Sequence, residues 1–445
     1  MAHVLLPSLA WYHAPMNRDR YLKHTLANGL SIYVVEKPEV ATATLMCLYR
    51  VGSASESQQQ QGAAHLLEHM MFKGSKNFPA GSIDTLVQRL GGENNAFTSR
   101  DYTAYYHVVP ALEWEKVLDM ELDRMTSLNL DPEEFLSERQ VVLEEIGLYA
   151  DDPHELMMDK HFEMAFGEKN PYHHPILGYS HSLNAMSAED LRLFYRRFYR
   201  VDNAAILVVG GVDGQKVVLE VAKRFNLLTT PQNLISVPVR MDGTDASYKP
   251  LILAMDVEDV RFKLSFPSAC MGETEDIVAD LLEEILAGGR SSILWQELKE
   301  KRHLASTVGA GNSAQQYTGL FFLDLDVSES ASLNDCLLAT YAVLDELLQN
   351  GVLETDFQRA VNKLLAAWHF EQERSEDMAM SLSQWVFLDR VGQYFSFPEQ
   401  LEKICLEDVN QFCRRIFRPE AMLLSVVHPT DCALDAPVAL WKGLP

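Results

Sequence analysis

The feature that most constrains the fold of this chain is a repeat between its two halves. Three short stretches recur in the same order, at nearly constant offsets of 215, 215 and 222 residues. They are HLLEH at 65–69 and DLLEE at 280–284, Tyr102-Thr103 and Tyr317-Thr318, and the helix openings at 131–135 and 353–357. Such a series indicates duplication of one structural unit. The alternative is a chance similarity between amphipathic helices.

Local patterns predict strands that alternate with helices. Runs rich in β-branched residues predict strands at 30–36, 42–51 and 204–210. Apolar spacing predicts a helix at 82–90. Asp131-Pro132-Glu133-Glu134 combines a capping Asp, a Pro in the first turn and acids near the positive end of a helix dipole. It predicts a further helix that runs to about Ala150.

The division into domains follows from a break in these patterns. A stretch rich in Thr, Pro, Asn and Gly at 227–250 predicts a linker. We therefore expect an α+β fold of two homologous units, each a mainly antiparallel sheet packed with helices. The predicted domains are residues 1–235 and 236–445.

Charge and composition argue against two classes of partner. The 445 residues carry 38 basic and 63 acidic side chains, a formal net charge of −25. Nucleic acids and anionic membranes attract Lys and Arg, so the acidic excess argues against both. No apolar run reaches the roughly 18 residues that span a bilayer.

Cysteine usage and the first residues bear on location. Six cysteines are scattered without a CxxC pair, which predicts reduced thiols and no disulfide framework. Residues 1–20 lack the basic leading segment of a signal peptide. These features favour the cytoplasm, and removal of a leader would make the periplasm the alternative.

The strongest chemical signal is His65-Leu66-Leu67-Glu68-His69. On a helix, residues four apart lie on one face, where two neutral imidazoles can bind one Zn²⁺. Glu68 shares this face because it follows His65 by three residues. The arrangement is H-x-x-E-H, the inverted form of the H-E-x-x-H helix of zinc proteases. The alternative is an amphipathic helix with two histidines in structural roles.

A catalytic zinc site needs a third protein ligand. The candidates are Glu138 and Glu145, seven residues apart and therefore on one face of the helix that begins after Asp131. Val141 and Val142 between them suggest that this face is buried, where a carboxylate needs a partner such as a metal. The alternative for such acids is a solvated helix face.

These residues resemble the pitrilysin family of zinc peptidases, which includes insulin-degrading enzyme and the mitochondrial processing peptidase. The family pattern is H-x-x-E-H followed at this distance by E-R-x-x-V-x-x-E. Glu138-Arg139 and Glu145 match it, with Glu145 lying 76 residues after His69. The flanking residues at 62–64, 71–74 and 91–106 are also similar, and the resemblance covers about residues 20–430.

The resemblance implies a role for each matching residue. His65, His69 and Glu145 bind one Zn²⁺ per chain. Glu68 is the general base, which takes a proton from the attacking water and passes it to the leaving amine. Glu138 lies outside the ligand set and orients a histidine ring.

The resemblance also implies that only the first unit binds metal. Domain 1–235 is then the zinc-binding catalytic domain, and domain 236–445 has no metal site. Asp280 and Glu284 stand where the second unit would carry its histidine pair, so we expect them to be structural.

Asn95-Ala96-Phe97-Thr98 resembles the edge strand along which substrates of this family lie. Backbone pairing with Asn95, Ala96 and Phe97 would bind an extended peptide with little demand on its sequence. The alternative is an ordinary sheet edge.

The chain departs from the family at two positions of the second half. Family members that act alone carry Arg and Tyr where this chain has Lys299 and Ser306. The substitutions remove a planar guanidinium and a hydroxyl that could stabilise a developing oxyanion. We therefore expect a homologous partner subunit that supplies Arg and Tyr, and a homodimer is the alternative.

These observations predict a zinc metalloendopeptidase subunit that hydrolyses extended peptides. The alternative from another class is a scaffold or peptide-binding subunit with a vestigial metal site. The sequence leaves the natural substrate, the cleavage preference and the identity of the partner open.

Overall fold

We describe a computed structural model of the chain at residues 21–229, 250–431 and 438–441. The predicted boundary between residues 235 and 236 lies outside these ranges. Most of the predicted linker at 227–250 does so too.

The first sheet is built from residues before position 211. Its strands are β1 (Tyr21–Thr25), β2 (Ser31–Glu36), β3 (Thr42–Tyr49), β4 (Glu93–Thr98), β5 (Thr103–Pro110) and β6 (Ala204–Gly210). They are ordered β1-β2-β6-β3-β5-β4. Neighbours are antiparallel except β2 and β6, which are parallel. β4 therefore lies at one edge.

Helices of the first half surround this sheet. They are α1 (Ala63–Met70), α2 (Ser82–Arg89), α3 (Trp114–Ser127), α4 (Pro132–Asp151), α5 (Pro153–Phe166), α6 (Ser180–Ala185), α7 (Ala188–Phe198) and α8 (Gly214–Phe225). α4 begins where the sequence predicts, because Asp131 Oδ1 accepts the backbone N–H of Glu133 at 2.9 Å and Pro132 occupies the first turn.

The second half repeats this plan. Its strands are β7 (Leu251–Met255), β8 (Arg261–Ser268), β9 (Ala305–Ala314), β10 (Gly319–Val327) and β11 (Leu423–Pro429). They are ordered β7-β11-β8-β10-β9. Its helices are α9 (Thr274–Ala287), α10 (Leu333–Asn350), α11 (Glu354–Glu371), α12 (Ser375–Phe387), α13 (Val391–Phe395), α14 (Phe397–Leu401) and α15 (Leu406–Ile416). A π-helical turn at Trp295–Lys301 precedes β9.

The two topologies correspond strand by strand. The order β2-β6-β3-β5-β4 matches β7-β11-β8-β10-β9, and in each sheet the first pair is the parallel one. The repeated HLLEH and DLLEE segments lie on α1 and α9, each between the third strand of that order and the edge strand. The predicted α+β fold of two homologous, mainly antiparallel units is confirmed.

Each unit covers a face of the other's sheet with an equivalent helix. α12 of the second half packs on β3 and β6, where Val386 and Leu382 join Leu48 and Leu207 in one buried apolar cluster. α5 of the first half packs on β11 and β7. The exchange buries both sheets on two faces and holds the two halves together.

Two further predictions concern thiols and membranes. The cysteines within the described ranges are all free thiols, as the sequence predicts: Cys47, Cys270, Cys336, Cys405 and Cys413. Cys432 lies outside these ranges. None of the helices described combines the length and apolarity that crossing a bilayer requires.

Candidate metal centre

Two histidines of α1 lie side by side on the face that packs against α4. The ring centroids of His65 and His69 are 4.6 Å apart, and the rings are inclined by 65°. Both side chains are mostly buried. The pairing follows from their spacing, since residues four apart occupy one helical face.

Glu145 of α4 completes a group of three. Its Oε2 lies 3.8 Å from His65 Nε2 and 3.6 Å from His69 Nε2. Three ligands at about 2.0–2.1 Å from a tetrahedral zinc are about 3.4 Å from one another. The three donor atoms therefore stand close to the separations that one Zn²⁺ requires.

Glu138 contacts the ring nitrogen of His69 that is turned away from Glu145. His69 donates from Nδ1 to Glu138 Oε1 at 2.9 Å, and Lys73 Nζ lies 2.5 Å from Glu138 Oε2. The contact fixes the ring so that His69 Nε2 faces Glu145. Of the two acids that the sequence left as candidates, Glu145 faces the histidine pair and Glu138 supports one ring from behind.

The chemistry of these donors suits a metal ion. Burial, and after it the neighbouring His69, lowers the pKa of His65 to about 3, so His65 is a neutral imidazole at physiological pH. His65 Nδ1 is buried without a hydrogen-bond partner in the described residues. Two imidazoles and one carboxylate are a donor set that binds catalytic zinc, so the residues present fit the ion.

Glu68 lies on α1 between the two histidines. Burial raises the pKa of Glu68, although a hydrogen bond from Thr98 opposes the shift. Thr98 Oγ1 donates that bond to Glu68 Oε2. A partly buried carboxylate with a raised pKa is suited to accept and release a proton.

The start of α1 is anchored by a buried acid. Glu56 accepts the backbone N–H of Gly62 at 2.8 Å and that of Ala64 at 2.7 Å. Its carboxylate also meets His174 Nε2 at 3.0 Å. Gly62 has φ +96°, and a Cβ there would stand 2.6 Å from the carbonyl oxygen of Leu177. Only glycine satisfies both constraints, so the position of the helix that carries the histidines is tightly set.

The predicted substrate strand leads to this centre. Asn95, Ala96 and Phe97 lie on the edge strand β4, paired with β5 on one side. The backbone N–H of Ala96 bonds to the Asn95 side chain at 2.9 Å, which marks it as a donor on the outer side of the strand. β4 ends at Thr98, the residue bonded to Glu68.

Comparison with known protein families decides the assignment. A model described as insulinase, peptidase family M16, matches residues 32–179, which contain every candidate residue named so far in this subsection. A model described as the M16 inactive domain matches residues 185–364. The chain belongs to peptidase family M16. The predicted resemblance to the pitrilysin family is confirmed.

Individual relatives agree with the M16 assignment. The zinc protease PqqE of Helicobacter pylori is 28% identical over 94% of this chain and 95% of its own length. An uncharacterized zinc protease of Streptomyces coelicolor is 31% identical over 76% of this chain and 74% of its own. The crystal structure of a protease from Helicobacter pylori superposes with a TM-score of 0.88 at 26% identity, covering 92% of this chain and 99% of that one.

The second M16 unit keeps the equivalent helix and lacks the histidines. Asp280 on α9 accepts from Asn312 Nδ2 at 2.9 Å, and Glu284 pairs with Lys363. In the part of the chain that the structure describes, His65, His69 and Glu145 are the group of three whose ligand atoms lie within 4.8 Å of one another. The structural roles expected of Glu284 and Asp280 remain predictions, and Asp280 lines a cavity.

Lys299 and Ser306 lie next to each other in this second unit. Lys299 Nζ donates to the backbone carbonyl of Ser306 and lies 4.3 Å from the centre of the Trp295 ring. The Ser306 side chain is exposed and donates to the carbonyl of Asp326 at 3.3 Å. Both contacts stay within the second unit.

Sequence reasoning missed three residues that support the centre: Glu56, Lys73 and Thr98. Glu56 contacts the start of α1, Lys73 contacts Glu138, and Thr98 contacts Glu68. None of the three belongs to the repeated segments. Thr98 ends the predicted substrate strand, and Lys73 lies in the family-like segment 71–74, but neither pattern indicates the contact that the residue makes. Glu56 lies in a run of Ser and Gln, and nothing in the sequence around it indicates a buried contact with a distant histidine.

Proposed function

We propose that this M16 chain is a zinc metallopeptidase subunit that hydrolyses peptide bonds of extended peptides. The observation that carries the proposal is the convergence of His65, His69 and Glu145, with the partly buried acid Glu68 on the same helix as the two histidines. The relatives named zinc protease support the same activity. In this proposal His65, His69 and Glu145 hold one Zn²⁺ per chain.

A bound zinc supplies Lewis-acid chemistry, polarising a carbonyl and lowering the pKa of water. Glu68 accepts the proton of the attacking water and returns it to the leaving amine. Thr98 orients the Glu68 carboxylate, and burial keeps the pKa of Glu68 above its usual value. Lys73 pairs with Glu138, and Glu138 holds the His69 ring in one orientation.

The substrate in this proposal lies along β4. Asn95, Ala96 and Phe97 bind its backbone as an added strand, which fits extended peptides of varied sequence. Support comes from the edge position of β4 and from the contact between Thr98 and Glu68. A peptide paired with this edge would run past the general base.

We further propose that a homologous subunit completes the enzyme. Lys299 and Ser306 replace the Arg and Tyr expected of family members that act alone, and their contacts are within the second unit. A partner of similar fold supplies both groups, with a homodimer as the alternative. Within this chain, domain 1–235 is catalytic and domain 236–445 binds no metal.

A second candidate function is a peptide-binding scaffold with a vestigial metal site. The replacement of Arg and Tyr by Lys299 and Ser306 favours it. Complete retention of the three candidate ligands argues for the enzyme, because a vestigial site loses its ligands.

Zinc content discriminates between these two functions. The purified full chain is expected to carry one zinc by plasma mass spectrometry, and His65→Ala is expected to lose it because a catalytic site keeps only three protein ligands. His181→Ala, which changes a histidine outside the group, serves as the control. A chain without zinc after metal-replete expression and purification without chelators would contradict the enzyme and support the scaffold.

A further inference from the structure

A cavity of about 270 Å³ lies among α9, α11 and α12 of the second unit, and Tyr102 of the first unit lines it too. Its walls combine carboxylates with aromatic rings. The residues that matter here are Asp276, Asp280, Glu371, Trp368, Trp385 and Tyr394. Asp280 stands in the repeat at the position of His65, so the cavity borders the second unit's counterpart of the metal-binding helix.

The three acids have no basic partner. No Lys or Arg in the described ranges forms an ion pair with any of them, and burial raises the pKa of each. Asp276 Oδ1 and Asp280 Oδ1 both accept from one neutral group, Asn312 Nδ2, at 2.7 and 2.9 Å. Asp276 Oδ2 also accepts the backbone N–H of Gly272 at 2.8 Å, which is another neutral donor. Partly buried carboxylates with neutral donors alone lack the positive charge that would stabilise them.

Tyr394 adds a second, independent indication of a ligand. Its side chain is 3% exposed, and its hydroxyl has no hydrogen-bond partner in the described residues. Tyr394 and Glu371 line the same cavity. Burial, and after it the charge of Glu371, raises the pKa of Tyr394. A buried hydroxyl without a partner indicates a missing polar neighbour on this side of the cavity.

We propose that this cavity binds an organic cation, an ammonium or guanidinium group. The carboxylates supply the countercharge, and Trp368 and Trp385, which line the cavity, offer aromatic rings of the kind that attract such cations. A bare metal ion fits less well. No three of the described acids here bring their oxygens within 4.8 Å of one another, as the groups at the metal centre do.

The cavity connects with the predicted substrate strand through Tyr102. The hydroxyl of Tyr102 lies 2.9 Å from Ser383 Oγ on α12, and its ring packs against Phe97 of β4 with centroids 5.6 Å apart. One source of the cation is therefore the Lys or Arg side chain of a peptide on β4, a source that rests on the proposed function. The other is a free small amine or guanidine.

Calorimetric titration of the full chain tests the proposal without any hydrolysis. The probes are Nα-acetyl-arginine amide, its neutral analogue Nα-acetyl-citrulline amide, and n-butylguanidinium. Saturable binding of the arginine probe is expected, with the citrulline probe weaker by at least about tenfold, because only the guanidinium carries charge. Equal binding of butylguanidinium assigns the site to free cations, and tighter binding of the arginine probe assigns it to peptides.

Variants locate the binding. Asp280→Asn and, separately, Glu371→Gln are expected to weaken the arginine probe by about tenfold or more. The matched control is Glu275→Gln, which removes one charge from α9 at an exposed residue paired with Arg415. Folding of each variant is checked by thermal unfolding, and Glu371→Gln serves if Asp280→Asn does not fold.

Three results would overturn the inference: no saturable binding, equal binding of citrulline and arginine probes, or unchanged affinity in folded Asp280→Asn and Glu371→Gln. None of them bears on zinc content or hydrolysis, so a failure here leaves the proposed function standing.

Discussion

At the scale of single residues, charged neighbours keep the candidate ligands in place. Burial opposes ionisation of Glu138, yet hydrogen bonds from Lys73 and His69 outweigh it and lower the pKa of Glu138. Glu138 is therefore an anion at neutral pH. A carboxylate behind a histidine fixes the ring and raises the basicity of the nitrogen that faces the metal.

Removing this carboxylate should weaken zinc binding while leaving all three ligands. Glu138→Ala is expected to raise the dissociation constant for zinc by about 10- to 100-fold. Competition with a chromogenic chelator measures it. The matched control is Glu144→Ala, an exposed acid on the same helix. Equal zinc affinities of Glu138→Ala and the unmodified chain would show that zinc binding does not depend on the contact between Glu138 and His69.

The residues that could be predicted are those whose chemistry shows in their spacing. His65 and His69 are one helical turn apart, and Glu138 and Glu145 are two turns apart, so periodicity alone puts each pair on one face. Glu56 and His174 are 118 residues apart. Their contact depends on tertiary packing, which no local pattern encodes.

At the scale of elements, the outer side of β4 carries the peptide-binding proposal. The Ala96 N–H bonds to the Asn95 side chain of its own strand, which places this donor on that side. Proline at this position would remove the donor and leave the pairing with β5, since proline is tolerated at sheet edges. Asn95 is already extended, as a residue before proline must be.

Ala96→Pro is accordingly expected to raise KM for an extended peptide by about threefold to tenfold, the equivalent of one lost backbone hydrogen bond. Zinc content should not change. Ala96→Val retains the N–H and serves as the control in the same assay. An unchanged KM in folded Ala96→Pro, assayed with any partner that activity requires, would remove β4 as the substrate strand.

Helices and strands could largely be predicted because their signals are local. The strand at 204–210 and the cap at Asp131 gave β6 and the start of α4 correctly. The exchange of α5 and α12 between the two sheets could not be predicted. His161 of α5 meets Ser265 and Ser425 at 2.5 and 2.7 Å, a contact that brings together residues up to 264 positions apart.

At the scale of the whole molecule, the first of two homologous units carries the candidate ligands, and the described residues of the second contain no such group of three. The halves share a topology, and each contributes a helix to the other's sheet, so neither is expected to fold well alone. A few of the 63 acids have specific places: Glu68, Glu138 and Glu145 at the centre, and Asp276, Asp280 and Glu371 around the cavity. Part of the acidic excess therefore belongs to the candidate metal centre and to the cavity of the second unit.

Dependence on a partner is the prediction at this scale. The chain alone is expected to hydrolyse an extended peptide at least about 100-fold more slowly than with a homologous subunit that carries Arg and Tyr, since one missing oxyanion donor costs about that much. Turnover is measured with and without the partner. Full activity of the isolated chain would contradict this dependence. An active homodimer, identified by light scattering, would support the alternative.

The most direct test of the central claim is the variant Glu68→Gln, assayed for zinc content and peptide hydrolysis together, with the partner subunit present if activity requires it. Gln retains the shape of Glu68 but cannot take up a proton. The variant is expected to keep one zinc per chain and to lose about 10²- to 10⁴-fold in kcat. A zinc-loaded Glu68→Gln chain that hydrolyses peptides near the unmodified rate would contradict the account.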